Sequence, residues 1–181
     1  MLTNALPPQS VSKITQNNLV ADKAQSGGSL RLFALIITIN TYQHGEIQNL
    51  TGSVNDGDAF QELLTSKLGV PPAHILRLSD EHATRERILQ SFKAHLIDNE
   101  NIRRGDAIVF FYAGHGSRVE AHSSWLARDD FVETIVPHDE GGVNSKGEHI
   151  YGIPDRTFDG LMRVLASKKG DNIVSTKAHV L

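Results

Sequence analysis

Apolar positions fall into two periods that alternate along the chain. Residues 30–39 (LRLFALIITI) form a near-continuous apolar run, the composition of a strand buried on both faces. Across 53–68 the period changes. Phe60, Leu63, Leu64 and Leu68 recur at three- and four-residue steps, which predicts a helix with one apolar stripe. Ser53 or Asn55 is expected to cap its start, with Asp56 and Asp58 near the positive end of its dipole. Gly69 stops it, and Pro71-Pro72 forces an extended exit. Residues 74–78 (HILRL) predict a second strand. Residues 84–99 predict a second helix, capped by Thr84 and turning Ile88, Phe92 and Leu96 inward. Residues 107–112 (AIVFFY) are apolar or aromatic throughout and predict a third strand.

The remaining segments are shorter or less regular. Residues 119–128 read as loop and 133–137 (ETIVP) as a small extra strand. Residues 155–167 predict a third helix, with Phe158, Leu161, Met162 and Leu165 inward and Gly170 as its stop. Beyond it, 171–175 offers only Ile173 and Val174 as strand core. Residues 1–29 are rich in Ser, Asn, Gln and Thr, sustain no period, and are expected to be a disordered tail. The order strand, helix, strand, helix, strand argues for an α/β fold, a mostly parallel sheet with helices on both faces.

Composition narrows the class. A chain of 181 residues suits one domain with a real core. A net charge of −3 gives no footprint for nucleic acid. The longest apolar run is too short to span a bilayer, so a soluble, cytoplasmic protein with no membrane partner is expected. There is no cysteine. Disulfides, thiolate metal sites and a cysteine nucleophile are therefore all absent from this chain.

The candidate chemistry sits after the third strand, in Ala113-Gly114-His115-Gly116-Ser117. A histidine between glycines at the carboxyl end of a buried parallel strand is placed to meet a substrate. The glycines are expected to supply unusual backbone angles and space beside the imidazole. The alternative is a polar loop histidine that merely follows a core strand. The other histidines form no metal set. His44, His74, His82, His95 and His122 fall on separate predicted elements, and His138 and His149 lack a third ligand at ordinary spacing.

Several segments together resemble the caspase-like cysteine peptidases, the metacaspases above all. FALIITIN looks like the family's first strand, with Thr38 where Gly is usual. GSVND at 52–56 looks like its G-C-x-N-D helix start, with Ser53 for Cys. FYAGHGS at 111–117 looks like the strand carrying the catalytic histidine. DDFVETIVPHD at 129–139 and IPD at 153–155 resemble its acidic loop and the entry to its third helix. The likeness runs from about 31 to about 173, in the family's order and spacing.

The resemblance implies a three-layer caspase-like fold and an endopeptidase directed to Arg or Lys, acting on peptide or protein substrates. His115 would be the general acid/base and the Gly116 N–H an oxyanion donor. Asp56 would be one acid of the pocket for a basic side chain. Calcium, which some members bind, would fall to Asp129, Glu133 and Asp139, fewer oxygens than the six to eight it takes; no other cofactor is implied.

One motif is missing. The family's D-x-C-H-S-G strand supplies the nucleophile, and an ungapped count puts Ala178 at the Asp and Val180 at the Cys. The domain over 30–181 is thus expected to be partial, truncated at its fourth strand and inactive by itself. The alternative is a non-catalytic caspase-like module that binds partners or regulates an active relative. Val174-Ser175 can be encoded as an intron donor, so the tail after it is also open to a reading as unspliced message. Truncation is expected to leave 107–112 with an unpaired backbone edge, open to self-association.

Overall fold

The structure is a computed structural model that describes residues 31–121 and 131–180. The expected N-terminal tail and Asp129 lie outside the described residues. Six strands and three helices follow in the order β1 (Leu32–Thr38), α1 (Ser53–Glu62), β2 (Ile75–Ser79), α2 (Arg85–Ser91), β3 (Ala107–Glu120), β4 (Phe131–Ile135), β5 (Ile153–Pro154), α3 (Asp155–Lys169) and β6 (Ile173–Val180). The first two helices each run on into a wider π turn, at Leu63–Lys67 and Phe92–Ile97.

β1 pairs in parallel with β2 on one side and β3 on the other, and β6 lies parallel along the far side of β3. Side chains alternate between the two faces of the sheet. Phe33, Leu35, Ile37, Ile108, Phe110 and Tyr112 pack with Ile88, Phe92 and Leu96 of the second helix and Phe158 and Leu165 of the third. The opposite face carries Leu32, Ala34, Ile36, Val109, Phe111 and Ala113, covered by Leu64 and Phe60. Phe60 stacks on Phe111 with ring centroids 4.6 Å apart. This is the expected three-layer arrangement with helices on both faces. Every residue of β1 is buried, which is why its sequence is apolar without alternation.

Helix α1 crosses the sheet at close range. A Cβ on Gly57 would lie 2.3 Å from Thr38 Cγ2, so only glycine allows the helix to sit there. Its cap departs from expectation: the N-cap is Gly52, with no side-chain hydrogen bond, because Ser53 is already inside the helix and buried. Thr84 does cap α2, its hydroxyl accepting the Arg87 N–H at 3.3 Å.

Three further expectations are corrected, all around β3. The segment 113–116 is not a loop: the strand runs through it to Glu120 and turns into an antiparallel ribbon with β4. The fourth parallel strand is not limited to Ile173 and Val174. Because β3 continues past Tyr112, it offers partners as far as His115, and β6 follows it from Ile173 to Val180. The 107–112 edge is therefore not bare, since β6 covers it.

Candidate active site

β3 changes partners where the site forms. Its pairing with β1 ends at Ala113, opposite Thr38, and the Ile39 N–H closes that ladder on the Ala113 C=O at 2.9 Å. Its pairing with β4 begins at Gly116, opposite Ile135. His115 lies between the two, and its backbone groups need partners from elsewhere. Its N–H donates to Tyr42 Oη at 2.8 Å. Its C=O accepts the Val136 N–H at 3.0 Å and the Tyr112 hydroxyl at 2.7 Å, the latter also within 3.0 Å of the Val136 C=O. Burial pushes the Tyr42 hydroxyl up to about 12 and the Tyr112 hydroxyl well above its ordinary value. Both stay protonated and serve as hydrogen-bonding groups.

Gly114 is needed for room rather than for an unusual backbone angle. A Cβ there would meet Tyr112 Oη at 2.6 Å and Tyr42 Oη at 3.1 Å. The unusual backbone angle expected of these glycines is not found at Gly114, which continues the strand without a positive φ.

The His115 side chain is half-buried at the carboxyl rim of the parallel sheet. Its ring centroid lies 5.0 Å from that of Tyr42, the planes tilted by 39°. Nε2 is 2.7 Å from the Gln48 C=O. A carbonyl only accepts, so this hydrogen bond has Nε2 carrying a proton.

Gln48 belongs to the segment 40–52, which leads from β1 to α1 across the same rim. Asp80, at φ 46, accepts the N–H groups of Asn40 and Thr41 on one carboxylate oxygen, at 2.8 and 2.9 Å. Asn49 Oδ1 takes the Tyr42 N–H at 3.0 Å, and the Leu50 N–H donates to the Asn40 C=O at 2.7 Å. His138 holds the segment from the far side: its C=O accepts the Gln43 N–H at 2.8 Å and its Nδ1 lies 2.7 Å from the Thr41 C=O.

The position of Gly116 has a direct consequence for its N–H. The neighbouring ladder bond runs from the Val136 N–H to the His115 C=O, so Gly116 and Ile135 form a non-hydrogen-bonded pair. In such a pair both residues turn their N–H groups away from each other. The Gly116 N–H therefore faces away from β4, on the side where β6 lies. Val180 is opposite His115 in the β3–β6 register, and Ala178 is opposite Ala113.

Asp56 reaches the same rim, exposed in the first turn of α1. No hydrogen bond joins it to His115 among the described residues. The described acids of the acidic loop serve separate elements. Glu133 is exposed on β4 opposite Arg118, while Asp139 Oδ1 accepts the Arg85 N–H at 2.8 Å and so completes the start of α2. No group of three metal-ligating side chains occurs among the described residues.

Most of the other histidines have local structural partners. His74 stacks on Phe33 at 4.0 Å, and His95 Nε2 lies 3.1 Å from the Ala34 C=O and 3.2 Å from the His74 C=O. Burial holds His95 below the usual histidine range.

Tyr42, Gln48 and Asp80 were not among the expected site residues. Gln48 acts through its main chain, so its side-chain type carries no signal. Tyr112 reads as strand core, which it is, and its hydroxyl is a second role that the apolar pattern conceals.

Comparison with known proteins follows this geometry. The family model for the metacaspase, peptidase C14 domain, matches residues 33–165. Metacaspase-1 of Plasmodium falciparum is 33% identical over 129 residues, 65% of this chain and 20% of its own length. Metacaspase-1 of Kluyveromyces lactis is 32% identical over 120 residues, 63% of this chain and 26% of its own. Metacaspase-7 of Arabidopsis thaliana is 29% identical over 151 residues, 81% of this chain and 34% of its own. The chain thus spans between a fifth and about a third of these curated relatives. Among solved structures, protein GSU0716 from Geobacter sulfurreducens shares the fold at a TM-score of 0.57 and 17% identity, over 81% of this chain and 48% of that one. No helix among the described residues is long and apolar enough to cross a membrane. With the histidine strand, the α1 start and the three layers all in the family's order, this chain belongs to the metacaspase, peptidase C14, family.

Proposed function

We propose that His115 is the general acid/base of a metacaspase-type endopeptidase site whose nucleophile this chain does not carry. The observation that supports this best is the imidazole at the carboxyl rim of the parallel sheet, with its Nε2 2.7 Å from the Gln48 C=O. In such a site the imidazole takes the thiol proton and later gives it to the leaving amine. The Gly116 N–H is the donor for the oxyanion that forms in between; it faces β6, where the register sets it against the Val180 C=O, so it serves only when β6 parts from β3 at that point. Asp56 on the same rim supplies one carboxylate for an Arg or Lys side chain. Calcium has no part in this reading, because Asp139 is engaged at the start of α2.

Without a thiol the chain does not cleave peptides by itself. A serine such as Ser117 is no substitute, because its hydroxyl ionises far less readily than a thiol. The test is direct. Purified chain incubated with fluorogenic Arg and Lys peptides is expected to release nothing above buffer. Cleavage that is abolished by His115→Ala overturns the inactivity.

A second reading is favoured by Val180 standing opposite His115. The chain then acts as a non-catalytic caspase-like module that binds an active relative. Capture of a purified metacaspase by the immobilised chain, with a change in that enzyme's rate, supports it over the first.

A further inference from the structure

We propose that Tyr42 is a positioning residue for His115, and that its hydroxyl, beyond its ring, keeps the imidazole in one tautomer at the rim. The catalytic meaning of this rests on reading His115 as the acid/base. The positioning itself is a property of the chain as it stands.

One loop grips one residue at two points. Tyr42 Oη takes the backbone N–H of His115 at 2.8 Å, and the Gln48 C=O takes its Nε2 at 2.7 Å. Both grips come from 40–52, and they are tied together inside it. The Tyr42 N–H is held by Asn49 Oδ1 at 3.0 Å, and the Leu50 N–H by the Asn40 C=O at 2.7 Å. The two grips therefore sit on one hydrogen-bonded loop, with Gln48 next in sequence to the Asn49 that holds Tyr42. The grip falls where β3 has left β1 and not yet joined β4, so the His115 N–H on that side is held by Tyr42 rather than by a neighbouring strand.

The two tyrosines are not equivalent. The His115 C=O has a second donor in the Val136 N–H, which duplicates the Tyr112 hydroxyl. The ladders give no such duplicate for the N–H held by Tyr42. Gly114 completes the device by leaving space for both hydroxyls.

The experiment uses the full chain labelled with ¹⁵N and compares it with Tyr42→Phe, which keeps the ring beside the imidazole. Exchange of the His115 amide is expected to rise about tenfold or more, the scale for losing one buried hydrogen bond. The amide of Phe110, inside the β1–β3 ladder, is expected to change far less. The imidazole ¹⁵N pattern should pass from a single Nε2–H form to a mixture of tautomers. Tyr112→Phe should do the same more weakly.

An unchanged ring pattern in Tyr42→Phe overturns the proposal. So does a rise in exchange shared equally by Phe110, which would mark general loosening. If Tyr42→Phe does not fold, Asn49→Ala reads the same clamp with both rings intact, and a single tautomer retained there refutes it. None of these readings needs peptidase activity. A chain given a cysteine that still cleaves nothing would sink the acid/base role of His115 and leave the positioning result standing.

Discussion

Val180 lies opposite His115 where β6 runs parallel to β3. Adjacent strands are about 4.8 Å apart, so position 180 starts one strand spacing from the histidine's backbone. By resemblance, an ungapped count puts the family's Cys at this same position.

Val180→Cys combined with Ala178→Asp is therefore expected to create cleavage of Arg and Lys peptides. Adding His115→Ala should then lower the rate about a hundredfold or more, the usual worth of a general acid/base. Val180→Cys alone should be slower, because one pocket acid holds a basic side chain less firmly than two. Release of a fluorogenic leaving group measures all three. A folded double variant whose rate is indifferent to His115 counts against the proposed site.

Gly114→Ala is expected to destabilise the fold by about 1–3 kcal/mol, the ordinary cost of forcing volume into a packed site. The added methyl would sit 2.6 Å from Tyr112 Oη and 3.1 Å from Tyr42 Oη, and neither ring can withdraw without giving up a bond to His115. Urea unfolding of the two proteins gives the difference. A loss below about half a kcal/mol, the level of ordinary surface substitutions, would show that the tyrosine pair is free to adjust.

The three layers and the identity of the inward faces were legible because period reports burial directly. Phe60 and Leu64 on one helix, and Ile88, Phe92 and Leu96 on the next, pack where their spacing put them. The extent of β3 was not legible. Glycines and a histidine have low strand propensity, and what keeps 113–116 extended is non-local: Tyr42, Val136 and the register with β6. For the same reason the histidine could be read from its motif while its partners could not. Gln48 contributes a carbonyl that any residue would offer, and Asp80 works by accepting N–H groups forty residues away in sequence. Ser53 misled as a cap because the helix begins one residue earlier and buries it.

Asp139→Ala is expected to cost about 1 kcal/mol, the usual loss when a side chain that accepts a first-turn N–H is removed. The loss should be the same in EDTA and in millimolar calcium. A calcium site including Asp139 predicts otherwise: calcium would raise the melting temperature of the unsubstituted chain and leave Asp139→Ala unmoved. Thermal unfolding under the two conditions separates these outcomes.

His95 makes stability depend on pH in a defined direction. Burial lowers its folded-state pKa below the 6.5 of an unperturbed histidine. Between the two values the unfolded chain binds more protons than the folded one, so stability is full above about 6.5 and declines as pH falls through that window. His95→Gln keeps a donor for the Ala34 and His74 carbonyls and carries no titrating group. It is expected to flatten the decline. Unfolding midpoints between pH 5 and 8 measure it, and identical slopes for both proteins would assign the dependence to another group.

Removing residues 171–181 takes β6 away and bares β3 from Ile108 to His115. The exposed edge would carry Ile108, Phe110 and Phe111 in extended backbone with unpaired N–H and C=O groups, a template for pairing with another chain. The ion pair of Lys177 with Asp155, and the placement of its ammonium 5.7 Å over the Phe158 ring, would be lost as well. The shortened chain is therefore expected to self-associate or precipitate at concentrations where the full chain does not. Sedimentation velocity on the two lengths, at matched concentration, decides it. A shortened chain that sediments as a clean monomer with a cooperative unfolding transition would mean that the sheet closes adequately on β3 without its neighbour.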